Sequence, residues 1–129
     1  MKIGLHHIAL VNTSEEKSDR FYHGLLGLDK KQSRLVPTEQ MQKIFGIDQQ
    51  AKLIYYGNDQ GLLFEIFVIG FQETVPVSHC CLMVADRTAF LQTGRHLGVA
   101  INQIPKPDGG SLVFVRDWDN NLFEIKEQN

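Results

Sequence analysis

Apolar positions along the chain recur with a period of two in some stretches and close to 3.6 in others, and the order of these stretches predicts the elements. Leu5, His7, Ala9 and Val11 share one face of an opening strand, and Val77, His79, Cys81 and Met83 share one face of a similar strand later. Each is followed by a helix start. In the first, Thr13-Ser14-Glu15-Glu16 reads as a capping box, with the Thr13 hydroxyl satisfying an open amide and Glu16 reaching back. Phe21, Tyr22, Leu25 and Leu26 form the apolar stripe of that helix, and Gly27 ends it. In the second, Asp86 caps a helix carrying Phe90, Leu91 and Leu97 before Gly98. Strands follow at 53–56 and 62–69 in the first half, and at 99–104, 112–116 and 122–126 in the second, joined by turns rich in Asn, Asp and Gly.

The chain is thus written twice. Leu-Phe-Glu-Ile stands at 63–66 and again at 122–125, each time after a turn-rich segment, 57–61 or 117–121. The expected organisation is one domain, 1–129, made of a module at 1–72 and a module at 73–129. The first half also holds an additional segment between Asp29 and Lys52. There Pro37 precedes 38–45, with Met41, Ile44 and Phe45 at helical spacing and Gly46 as a stop, which predicts a short helix over one edge. It reads as a surface insertion or as a wall over a ligand pocket.

With 129 residues, 43% hydrophobic and 22% charged, the chain is a globular domain and neither a disordered tail nor a fibre. Thirteen Lys and Arg against fifteen Asp and Glu leave a net charge of −2, too balanced for a partner recognised by charge, so nucleic acid and membrane are both excluded as expected partners. No stretch approaches the roughly 18 apolar residues of a membrane helix, and the first ten residues lack the apolar run of a signal peptide, so a cytoplasmic protein is expected. Cys80 and Cys81 are adjacent on a strand and point to opposite faces, which fits free thiols in a reducing compartment.

Glu65 stands inside the apolar run Phe64-Glu65-Ile66-Phe67-Val68-Ile69, where an uncompensated carboxylate costs several kcal/mol. A lone strand histidine is ordinarily a hydrogen-bonded core residue. Here His7 and Glu65 recur as His79 and Glu124 in register with the repeat, and two imidazoles with two carboxylates suit one divalent ion: Ni, Co, Zn, Mn or Fe. His6 is expected to point away from His7 as a packing or surface residue, and His23 and His96 to lie exposed on helices. Cys81 reads as a small core residue; reaching the ion would move the preference towards Zn.

At these residues the sequence resembles the vicinal oxygen chelate superfamily, which includes glyoxalase I, methylmalonyl-CoA epimerase, extradiol dioxygenases and the fosfomycin and bleomycin resistance proteins. The resemblance spans nearly the whole chain: 7–11 running into Phe21-Tyr22 and Leu25-Leu26-Gly27-Leu28, and the closing segment 114–124, similar to the family's F-x-R-D-P-D-G-N-x-x-E. Trp118 replaces the usual Pro and Asn120 the usual Gly; Asn tolerates the left-handed conformation, so the turn is expected to survive. The resemblance implies an α+β fold of two βαβββ modules forming a pseudo-twofold incomplete β-barrel, with His7, Glu65, His79 and Glu124 as metal ligands, in a homodimer whose sites draw on one chain or two. It further implies a lyase or isomerase of the glyoxalase I type, moving a proton next to a carbonyl of a small-molecule substrate through a metal-stabilised enediolate, with Glu65 or Glu124 as the base. The alternatives are a binding protein of the bleomycin-resistance type, a methylmalonyl-CoA epimerase-like enzyme, which usually carries Gln at position 65, and an extradiol dioxygenase-like enzyme. A fourth protein ligand argues against the dioxygenases and the fosfomycin-modifying members, and the segment after Glu65 lacks the stretch associated with glutathione use. Arg34, Lys52, Tyr55, Lys106 and Arg116 are candidate contacts for an anionic substrate group; each reads more readily as a solvated charge or polar group, with Arg116 bracing the Asp117 turn.

Overall fold

A computed structural model describes residues 6–70 and 79–128; the expected strand positions Leu5 and Val77 lie outside the described residues. The chain divides into two compact units, 1–72 and 73–129. In the first, the order is β1 (Ile8–Asn12), α1 (Glu15–Ser18) continuing as a π-helical stretch (Asp19–Leu25), β2 (Asp29–Val36), α2 (Thr38–Phe45), β3 (Ala51–Gly57) and β4 (Leu63–Val68). In the second it is β5 (His79–Val84), α3 (Arg87–Leu97), β6 (Ala100–Pro105), β7 (Ser111–Arg116) and β8 (Leu122–Glu127). Each unit forms one open four-stranded sheet, ordered β1-β4-β3-β2 or β5-β8-β7-β6, in which first and last strands pair in parallel and the other pairs are antiparallel. The fold is α+β. No described helix is long and apolar enough to cross a membrane.

In the first unit the helix at 15–25 covers one face of the sheet. Phe21 and Tyr22 are fully buried, and the Tyr22 ring lies 5.3 Å from those of Tyr56 and Phe64. Ile54 and Ile66 complete this layer. The cap is Ser14 and not Thr13: the helix begins at Glu15, one residue later than the capping box supposes, and the Ser14 hydroxyl accepts from the Lys17 amide at 3.2 Å. Tyr56 donates to Asp19 at 2.7 Å, and Lys30 joins Asp19 to Glu15, which also accepts from Lys52. Lys52 is therefore engaged in an ion pair.

The sheet's other face carries Glu65, Tyr55, Leu53 and Phe67, by alternation along β3 and β4. Met41 of α2 is buried on this side with Val36, Ala51, Leu53, Phe67 and Ile69, and Val11, Ile47 and Tyr55 pack against them. The additional segment is thus a wall on the Glu65 face, anchored by one methionine, while Ile44 of the same helix stays exposed. The second unit has no matching helix among the described residues, and Met83, Ile104 and Leu112 on its Glu124 face are exposed. Its core lies on the other face: Leu82, Leu91, Val113, Val115, Phe123 and Ile125.

Strand β2 has no counterpart in the apolar pattern. Asp29–Val36 is exposed at every residue but the last, so neither face imposes a period, and its charges are those of a sheet edge.

The repeat extends to the turn before the last strand of each unit. Asn58 Oδ1 accepts from the amides of Gln60 and Leu62, and Asp117 Oδ1 accepts from those of Asp119 and Asn121. Gly61, with φ +87°, and Asn120, with φ +72°, supply the left-handed residue at the same place in each turn. Arg116 braces its turn by donating to the Asn120 carbonyl at 2.8 Å.

Candidate metal centre

The parallel pairing of first and last strands is what brings each His to its Glu. In the first unit Ala9 pairs with Glu65, and the chain enters β1 beside that pair through His7, two residues before Ala9. His7 Nδ1 is 3.1 Å from Glu65 Oε2. In the second unit Cys81 pairs with Glu124, His79 stands two residues earlier, and its Nε2 is 3.8 Å from Glu124 Oε1. The environments match: the glutamate side chains are 15% and 16% exposed and the histidines 37% and 38%. A sheltered carboxylate thus stands beside a rim imidazole in each unit.

The donors suit a divalent ion. Two ligands bound at ~2.1 Å and at right angles are about 3 Å apart, the His7–Glu65 separation; the His79–Glu124 pair needs a small side-chain rotation to match.

Register extends each pair across its sheet. Glu65 is flanked on β3 by Tyr55 and Tyr55 on β2 by Gln32, while Glu124 is flanked on β7 by Phe114 and Phe114 on β6 by Asn102. Beside this second row lies a cavity of about 330 Å³ lined by Ala100, Ile101, Asn102, Phe114, Arg116 and Leu122. The Phe114 ring meets His79 edge-on at 5.9 Å, so the cavity adjoins the His79–Glu124 pair. Lys126 Nζ is 3.9 Å from Glu124 Oε2. Of the candidate substrate contacts, Arg34, Tyr55 and Arg116 lie on the ligand faces. Arg34 and Lys106 are exposed, and the Lys106 backbone closes the β6–β7 loop onto Gly110.

Two expectations are corrected. His6 does not point away from His7: β1 begins at Ile8, so alternation does not govern residues 6 and 7, and the two Nδ1 atoms are 2.8 Å apart. Cys81 is exposed and not a core residue, because it stands on the Glu124 face. Desolvation first, and then the Glu124 charge, push its thiol above the ordinary value. Both cysteines are free, and His23 and His96 are exposed as expected. Gln32 and Asn102 escaped the sequence reading; the signal that locates them is their register beside the residues flanking each glutamate.

Paired βαβββ units of this topology have the fold of the vicinal oxygen chelate superfamily. Among solved structures, a Glu-to-Gln variant of the fosfomycin resistance protein FosX from Listeria monocytogenes, complexed with Mn(II) and 1S,2S-dihydroxypropylphosphonic acid, aligns with a TM-score of 0.76 at 20% identity over 100% of this chain and 95% of that one. FosX from Mesorhizobium loti aligns with a TM-score of 0.71 at 15% identity, covering 100% and 94%. A glyoxalase family protein from Enterococcus faecalis gives 0.71 at 15%, covering 95% of each chain. At these identities the likeness is one of fold. No protein-family model matches the chain, nor does any curated protein sequence.

Proposed function

We propose that the protein is a divalent-metal-dependent enzyme that moves a proton at a carbon next to a carbonyl, as a lyase or isomerase of the glyoxalase type. The observation that carries this reading is the repeated pairing of a sheltered glutamate with a rim histidine, at 3.1 Å in one unit and 3.8 Å in the other. Its metal ligands would be His7, Glu65, His79 and Glu124. When bound, that ion supplies Lewis acidity, offsetting negative charge that develops on a substrate oxygen. The chain's own part is to place a carboxylate against the substrate C–H. Glu65 or Glu124 takes the proton on a carboxylate oxygen and returns it to the neighbouring carbon, so no atom is gained or lost overall. The cavity beside Phe114 and Asn102 would take the substrate's apolar part, with the Asn102 amide and the Arg116 guanidinium as orienting groups.

The test is metal analysis of the protein purified without chelator, joined to deuterium exchange at the substrate carbon. About one ion per chain, lost in His7→Ala/His79→Ala, together with exchange abolished by Glu65→Gln or Glu124→Gln, is the expected result. Unequal losses identify the base. A metal-free protein that takes up no ion overturns the reading and favours a binding protein.

The FosX neighbours favour a second reading, in which the same carboxylate takes a proton from water as that water opens a small epoxide to a vicinal diol. Fosfomycin followed by phosphorus NMR separates the two: conversion to the diol supports the second, and an unchanged spectrum rejects it.

A further inference from the structure

Three donor atoms, and not two, converge where the chain enters β1. One from each of His6, His7 and Glu65 lie within 4.8 Å of one another. His6 Nδ1 is 2.8 Å from His7 Nδ1, and the same His7 nitrogen is 3.1 Å from Glu65 Oε2. The two rings meet edge to face, with centroids 5.1 Å apart.

Hydrogen bonds alone satisfy this arrangement poorly. A ring nitrogen presents in its plane either one hydrogen or one lone pair. If His7 Nδ1 carries the hydrogen, that single N–H is divided between the carboxylate and the His6 nitrogen. If it carries the lone pair, it accepts from His6 and faces the Glu65 carboxylate with nothing between them. A cation removes the conflict, because all three lone pairs then serve one centre. The separations of 2.8 and 3.1 Å are close to the about 3 Å between neighbouring donors on one ion.

We infer that His6 is a further metal ligand, so that the first unit by itself presents two imidazoles and one carboxylate to a divalent ion. This rests on the reading of His7 and Glu65 as ligands. Two imidazoles and a carboxylate on one side of an ion form a set that leaves other positions open for further donors or substrate. The consequence is an affinity that survives, weakened, when the second unit's ligands are removed. His6 is exposed and outside the strand, so replacing it removes a donor without opening the core.

The experiment is a titration of the metal-free full chain with Co(II), read by equilibrium dialysis and visible absorption. His6→Ala is expected to raise the Kd about tenfold or more and to change the visible spectrum, whereas His96→Ala, an exposed site on α3, leaves both unchanged. His6→Cys is expected to add a sulfur-to-cobalt charge-transfer band in the near ultraviolet that wild type lacks, a signature that a structural role for His6 does not supply. An unchanged Kd and spectrum in His6→Ala, with binding lost in His7→Ala, overturns the role of His6 and leaves the other ligands standing. A wild-type chain that takes up no Co(II) overturns the ligand reading as a whole.

Discussion

Asp117 is 5% exposed, and its carboxylate accepts from the Asp119 and Asn121 amides and from the Asn121 side chain at 2.8 to 3.0 Å. Asp117→Ala strands these donors and is expected to cost about 2 kcal/mol, read as a lower urea midpoint. Asp117→Asn keeps the two backbone contacts, as Asn58 does in the first unit, but sets an amide donor against the Asn121 side chain, and is expected to cost about 1 kcal/mol. Glu15 is a second residue with a readable role. Hydrogen bonds from Lys30 and then Lys52 hold its carboxyl below the ordinary range. A folded-state pKa below the unfolded one gives stability that is complete above the unfolded value and is lost as pH falls through the folded one. Glu15→Gln is therefore expected to lower stability slightly at neutral pH and to flatten the decline on acidification, measured by denaturation from neutral to acid pH. The effect stays under about 1 kcal/mol, since this pair is a third exposed. His7, Glu65, His79 and Glu124 could be found in the sequence as candidates because a carboxylate in an apolar run is costly and because it occurs twice. His6 could not, since its direction depends on where the strand begins, and no apolar period marks that residue.

Among the elements, α2 shows what local spacing can and cannot say. Its bounds follow from Pro37 and from Gly46, whose φ is +70°, and both lie in the sequence. What it covers does not, since that depends on which sheet face Met41 meets. Met41 is 1% exposed, and Met41→Ala is expected to cost about 2 to 4 kcal/mol in thermal or urea unfolding and to speed amide exchange across α2. Strand β2 is the opposite case. Eight residues with seven exposed have no period to read, and the strand exists because β3 offers it an edge. The helix at 15–25 was legible in its apolar stripe, while its π-helical second half leaves no mark in that stripe.

At the scale of the whole molecule, two units of one topology present matched His–Glu pairs. If both pairs serve an ion, occupancy stabilises the folded chain by mass action, about 2.7 kcal/mol at a hundred times the Kd. Addition of Mn(II) to the metal-free protein is then expected to raise the Tm, a chelator to reverse the rise, and Glu65→Gln/Glu124→Gln to abolish it in differential scanning calorimetry. The strand order carries a consequence for synthesis. In each unit the first strand to leave the ribosome pairs with the last, so β1 has no neighbour until β4 has been made, and β5 none until β8. Such long-range pairing is the slow part of folding. His7 thus meets Glu65 only when its sheet is complete, and a nascent or truncated unit presents its histidines without the carboxylate that would complete the donor set.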